Sequence, residues 1–153
     1  MLATWQQHAH AEFVLKDTEA ALAKMTENPY VFLVSSGTAR VGRAAVRDFY
    51  ANHFLPQIPP DLEITSLSQT FGNDRIAEEM VIRFTHTIDM DWILPNVRPT
   101  GQRAEFVVAA IIQFLDGKVP TSISIGIRPR CCSRWASWII LWRRPEQTVR
   151  PDS

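Results

Sequence analysis

The clearest alternation of apolar and polar positions begins at Ile76. Ile76, Glu78, Met80, Ile82, Phe84 and His86 occupy every second position, with Glu79, Arg83, Thr85 and Thr87 between them. Side chains of a strand alternate faces, so the even set shares one largely apolar face that carries a carboxylate and an imidazole. That face is expected to line the interior. A preceding strand, Asp61 to Phe71, ends in Gly72-Asn73-Asp74, which tolerate the left-handed backbone of a tight hairpin. After a turn-rich loop from Pro95 through Pro99-Thr100-Gly101, the stretch Arg103 to Leu115 is mostly apolar on both faces. Such a strand belongs in the middle of a sheet covered on both sides. Asp116-Gly117 then turns the chain, and Lys118-Val119 opens a fourth strand returning on the third.

Upstream the period changes from two to helical. Trp5, Ala9, Glu12 and Phe13 recur at helix spacing, with Thr4 as a candidate N-cap. Asp17 can cap a second helix with Ala21, Leu22 and Met25 as its buried stripe and Asn28-Pro29 as its stop. Tyr30 to Val34 is β-prone, and Thr38 to Val41 can pair back across Ser35-Ser36-Gly37. Gly42 to Phe54 reads as a third helix with Val46, Tyr50, His53 and Phe54 on one side, ended by Pro56, Pro59 and Pro60. Helix, helix, hairpin, helix and a long meander predict an α+β fold: a cone-shaped roll of a curved, mainly antiparallel sheet with three N-terminal helices packed across it. A roll of this kind leaves an apolar pocket with a few polar groups pointing inward.

Composition adds bounds rather than a substrate. At 153 residues, 46% of them hydrophobic and 21% charged, the chain has material for one core. Zero formal net charge gives no electrostatic argument for nucleic acid or an anionic membrane. Met1 to Phe13 is polar and no apolar run approaches a span of roughly 20 residues, so a soluble cytoplasmic protein is expected. The distribution of charge is uneven. Residues 1–118 hold 10 Lys+Arg against 14 Asp+Glu, whereas 119–153 hold 6 Arg and no Lys against 2 acids. Three of the five Trp and both Cys, the adjacent Cys131-Cys132, fall in that tail, and neighbouring cysteines neither pair readily nor build a metal site alone.

The order of Gly42-Arg43-Ala44-Ala45-Val46, Gly72-Asn73-Asp74-Arg75, Pro99-Thr100-Gly101 and Asp116-Gly117-Lys118-Val119 resembles the SnoaL-like branch of the nuclear transport factor 2-like superfamily, across residues 5–119. The resemblance implies a cone-shaped α+β barrel, a pocket for an apolar small molecule and a homodimer through the sheet. Members include polyketide cyclases, dehydratases, isomerases and epoxide hydrolases, and the fold alone does not choose among them. No cofactor is expected. The family's pattern continues with a strand ending near a Trp-Asp pair, the cyclases' acid/base aspartate lying on that strand, and then a Leu-Gly ending. Here Pro120-Thr121-Ser122-Ile123-Ser124-Ile125-Gly126-Ile127 stands instead, so the chain divides into a SnoaL-like domain, 1–119, and an atypical tail, 120–153. Synonymous codons for Pro120 to Trp138 exist that, read from their third base, give His-Glu-His-Ile-Tyr-Trp-Asp-Gln-Ala-Ser-Val-Leu-Leu-Ala-Leu-Gly-Lys-Leu. A frameshifted tail is therefore one expectation and a divergent C-terminus, with a weak strand at Ser122–Ile127 and a covering segment at Trp135–Trp142, the other. Losing the final strand would leave the third strand's edge open and aggregation-prone.

Without that aspartate, the inward-facing ionisable groups are His86, as a general base, and Glu78, as its acid or orienting partner. Tyr30, Tyr50 and Trp92 are candidate pocket walls, with Met80 and Phe84 lining the sheet side. The alternative makes His86 a core histidine near the sheet end, Glu78 a rim carboxylate, and Tyr50 and His53 mere packing for helix three. His8 and His10 suggest no metal, because positions i and i+2 face different sides of a helix. Asp89 and Asp91 read as solvated loop carboxylates. Arg128, Arg130 and Arg134 beside Trp135 could bind nucleic acid, but no basic footprint elsewhere supports it. Two readings stay open: an enzyme of proton-transfer chemistry, by cyclisation, dehydration or isomerisation, and a non-catalytic binding or assembly domain, or an inactive product lacking its last strand.

Overall fold

The computed structural model describes residues 1–129, and for 121–129 the backbone alone. The elements are α1 (Leu2–His10), α2 (Thr18–Ala23), β1 (Met25–Leu33), β2 (Thr38–Val41), α3 (Arg43–Asp48), β3 (Glu63–Phe71), β4 (Arg75–Thr85), β5 (Arg103–Leu115) and β6 (Lys118–Pro129). Helices α1 and α3 continue into π-helical turns, Ala11–Leu15 and Phe49–Phe54. The six strands form one curved sheet in the order β2-β1-β6-β5-β4-β3. Every neighbouring pair is antiparallel except β1 with β6, whose parallel pairing joins the N-terminal hairpin to the meander.

The meander follows the alternation of its sequence. β4 and β5 pair without a break from Arg75↔Gln113 to Thr85↔Arg103. Ile76, Glu78, Met80, Ile82, Phe84 and His86 are all buried, and β5 lies between two strands as its two-sided apolar pattern requires. On the inner face Phe84 stacks on Phe106 with ring centres 5.7 Å apart, and Leu22, Met25 and Ile112 fill the space beneath the helices.

Element ends differ from expectation for local reasons. Helix α1 starts at Leu2 rather than after Thr4, and its Met1 cap makes no side-chain bond. Asp17 does cap α2, its Oδ1 accepting from the Glu19 and Ala20 amides at 2.9 and 3.0 Å. That helix stops at Ala23, so Met25 opens β1 and Asn28-Pro29 lie within the strand. Proline has no N–H for a ladder, and the β1–β6 register breaks between Met25 and Tyr30. The third helical stretch runs to Phe54 as drawn but leaves α geometry after Asp48, and a 3-10 turn at Leu55–Gln57 carries Pro56.

The open edge considered for β5 is not found. β6 pairs with β5 from Leu115↔Lys118 to Phe106↔Pro129 and with β1 on its other side. Ladder bonds use backbone groups that every non-proline residue carries, so an unusual side-chain sequence can still supply them. Cys131-Cys132, Arg130, Arg134 and Trp135–Trp142 lie outside the described residues. Among the described residues no helix is long and apolar enough to cross a membrane.

Candidate acid/base site

Between the inner sheet face and the helices lies a cavity of about 80 Å³, counted at positions that water centres can take. The sheet contributes Met80, Ile82, Val108 and Ala110 to its walls. Opposite them, α1 and the two π-helical turns contribute Trp5, Glu12, Phe13, Phe49, Tyr50 and Phe54. Trp92 and Ile93, on the loop between β4 and β5, complete it. Glu12 is the one charged side chain among the described residues that line it.

Glu12 belongs to a buried polar cluster. His8, four residues earlier, places Nε2 2.9 Å from Glu12 Oε1, and the Tyr50 hydroxyl donates a very short hydrogen bond to the same oxygen. His8 Nδ1 lies 3.0 Å from the Ala21 carbonyl, which can only accept, so Nδ1 carries a proton. Nε2 then shares one further proton with the carboxylate. Burial pulls the His8 pKa down, but the Glu12 charge, its hydrogen bond and the Ala21 carbonyl outweigh it, and the net shift is upward. That upward shift favours the charged imidazolium of His8 beside Glu12. Burial, and then the neighbouring Glu12 charge and hydrogen bond, hold the Tyr50 pKa well above the ordinary tyrosine range, so its hydroxyl remains a donor. All hydrogen bonds of Glu12 among the described residues fall on Oε1; Glu12 lines the cavity, and its Oε2 is the acceptor left for a ligand there.

The sequence places the helix half of this cluster together because i and i+4 share one helix face. The His8–Glu12 spacing is the signal for it in the sequence, whereas His8 and His10 face different sides of the helix. Tyr50 arrives from 42 residues away. No residue pattern announces that contact.

Of the residues singled out earlier, Tyr50, Trp92 and Met80 line the cavity. Tyr30 lies on the other face of β1 from the lining residues Val31 and Leu33, and stacks on Phe32 with ring centres 6.4 Å apart. Phe84 is buried against Phe106, away from the cavity walls. His86 and Glu78 share a strand face but not a site. Eight positions at a rise of about 3.3 Å separate them by roughly 26 Å, so they cannot act as a direct pair. Glu78 accepts from Trp5 Nε1 at 2.6 Å and from Gln69 Nε2 at 2.9 Å, making it the group that fixes a cavity wall. His86 sits at the neck of the β4–β5 loop, where its carbonyl accepts from Thr100 and Gly101 and its amide donates to Gln102. Its buried ring packs edge-on to Phe84, and burial, partly opposed by Asp89, lowers its pKa. His53 is half-exposed, 3.9 Å from Asp48. Among the described residues no three His, Cys, Asp or Glu side chains are placed to hold a metal.

Solved structures share this architecture. AclR from Streptomyces galilaeus, a proposed hydroxylase, is 23% identical with a TM-score of 0.60, covering 84% of this chain and 78% of its own. A proposed SnoaL-like polyketide cyclase from Jannaschia sp. CCS1 is 17% identical with a TM-score of 0.63, covering 80% and 83%. SalBIII, an epoxide hydrolase/cyclase-like enzyme of pyran ring formation in salinomycin, is 17% identical with a TM-score of 0.60, covering 80% and 87%. At these identities the likeness establishes the fold. No curated protein matches the chain. The SnoaL-like domain profile, however, matches residues 5–120, most of the chain and all of the cavity's described walls, and the protein belongs to the SnoaL-like domain family.

Proposed function

We propose that this protein is a proton-transfer enzyme acting on an apolar, oxygenated small molecule, with Glu12 as its acid/base. One observation carries the reading: a buried carboxylate, oriented by His8 and Tyr50, lines an otherwise apolar cavity with one oxygen left for a ligand. A carbon acid beside a carbonyl, or a hydroxyl, placed at Oε2 gives its proton to the carboxylate. The same proton returns to a second carbon, completing an isomerisation, or to a departing oxygen, completing a dehydration. Positioned general acid/base groups contribute about 10²–10⁴-fold to rate. Glu78 serves by holding Trp5, and Tyr50 and Trp92 serve as walls. The family's cyclases and the epoxide hydrolase/cyclase-like SalBIII are in keeping with chemistry on oxygenated substrates. Tyr30 and Phe32, with Val107, Ala109 and Ile111, are half-buried on the outer sheet face and support a homodimer through the sheet.

The test needs no known substrate. Small cyclic ketones are incubated in D₂O, and loss of the proton signals beside the carbonyl is followed by NMR. Exchange that Glu12→Gln abolishes while the fold persists is the expected result; exchange equal in the variant refutes Glu12 as the base. Binding without turnover is the second reading. Its specific observation is that His8 and Tyr50 both bond Glu12 Oε1 and hold the side chain in place, as suits a fixed acceptor for a ligand's donor. The shifted reading frame after Val119 is decided by sequencing the transcript across Gly117–Cys132.

A further inference from the structure

We infer that the cavity selects compact, uncharged, hydrogen-bond-donating ligands of one or two rings, and that Trp92 sets the size limit. The inference rests on the proposed site only in taking Glu12 as its polar anchor.

Charge is the first selector. Among the described lining residues there is no Lys, Arg or His, and the one ionised group is Glu12. An anionic ligand would lose its hydration and meet only a like charge. The His8 imidazolium lies behind the carboxylate and outside the lining, so it neutralises Glu12 without offering a ligand its positive charge. A cationic ligand would compete with that imidazolium for the same carboxylate. A neutral donor suits Oε2 best, since it supplies one hydrogen bond and no net charge. Ser35, the remaining small polar wall residue, already donates to the Trp92 carbonyl at 3.1 Å.

Size is the second. At about 10–15 Å³ per water centre, the cavity of about 80 Å³ holds roughly five to eight waters. At about 30 Å³ of liquid volume each, that is roughly 150–240 Å³, which fits one or two fused rings and not four. Trp92, a half-buried wall residue on the β4–β5 loop, is tied in place. Trp92 meets Phe54 edge-on with ring centres 5.0 Å apart, and its Nε1 donates to the Gln57 carbonyl at 3.3 Å. Next to it the Asp91 amide donates to Gln57 Oε1 at 2.9 Å. Met90, fully buried, accepts from the Ile93 and Leu94 amides, so the loop is anchored on both sides of the indole. Aromatic bulk on an anchored loop makes a fixed boundary.

Three probes separate the two selectors: 2-naphthol, its carboxylate counterpart 2-naphthoate, and the four-ring 1-hydroxypyrene, titrated calorimetrically near pH 7. Wild type is expected to bind 2-naphthol, to bind 2-naphthoate about tenfold or more weaker, and to show no heat with 1-hydroxypyrene. Trp92→Ala is expected to gain 1-hydroxypyrene binding; Trp92→Leu is the substitute should the alanine variant not fold. Equal or tighter binding of 2-naphthoate, wild-type binding of 1-hydroxypyrene, or binding of none of the three overturns the inference. The ketone exchange assay reads a different property. Loss of exchange with selectivity intact removes the catalytic reading alone, and exchange without selectivity removes this one alone.

Discussion

Replacing His8 tests the polar cluster through stability, before any substrate is known. Both ring nitrogens are committed, Nδ1 to the Ala21 carbonyl and Nε2 to Glu12, and neither His8 nor Glu12 reaches solvent appreciably. His8→Gln leaves a buried carboxylate with Tyr50 as its remaining donor among the described residues. Breaking a buried ion pair by removing one partner costs about 3–5 kcal/mol. Against a typical stability of about 5–15 kcal/mol, the variant should fold with a much lower denaturation midpoint. The pH dependence is the sharper signature. The folded-state pKa of His8 lies above the ordinary 6.5, so between those values the folded protein binds more protons than the unfolded chain. The stability of the pair is therefore fully present below pH 6.5 and lost as pH rises through the folded pKa, with a slope of up to about 1.4 kcal/mol per pH unit. His86 acts with the opposite sign: its folded pKa is lowered by burial, so its contribution is present above pH 6.5 and lost as pH falls through the folded value. Wild-type stability should peak near pH 6.5, with His8 shaping the alkaline limb. Urea unfolding followed by tryptophan fluorescence, from about pH 5 to about pH 9, measures this in wild type and His8→Gln. The cost of the substitution should be greatest at and below pH 6.5 and shrink above it. A cost independent of pH would refute the imidazolium–carboxylate pair.

Two further substitutions check the scaffold. Asp17→Ala removes both cap bonds of α2 and should cost about 1 kcal/mol in chemical denaturation, whereas Asp17→Asn should recover most of it. Phe84→Ala empties a fully buried ring site against Phe106 and should cost about 3–5 kcal/mol; a loss below about 1 kcal/mol would mean that the inner sheet face is not packed as described.

The meander was legible because its signals are local. The alternation from Ile76 fixes which side chains turn inward, and Asp116-Gly117 supplies two residues at positive φ, 51° and 75°, for the hairpin. Helix ends were less legible. Met25 fits the apolar stripe of a helix as well as the first buried position of a strand, and the tertiary pairing of its neighbours decides between them. Site geometry was less legible still: sharing a strand face does not bring Glu78 and His86 close, while Glu12 and Tyr50, which no periodicity links, meet on the helical wall of the cavity.

Glu12 and Tyr50 both sit in π-helical turns, and these turns face each other. Phe13 and Phe54, from the same two turns, pack edge-on with ring centres 5.9 Å apart. A π turn is rare and less well bonded than α-helix, so two that meet at one point need a local offset, which the aromatic contact and the Tyr50–Glu12 bond supply. Stability alone does not call for ions there. Replacing a buried ion pair by apolar residues of similar volume is often neutral or stabilising by about 1–4 kcal/mol, and the surroundings, with Trp5, Ala21 and Leu22, are already apolar. An apolar core of the same volume would hold the fold as well, and what the cluster adds is a side chain held from behind by His8 and Tyr50 that lines the cavity. That asymmetry suits proton transfer better than it suits packing.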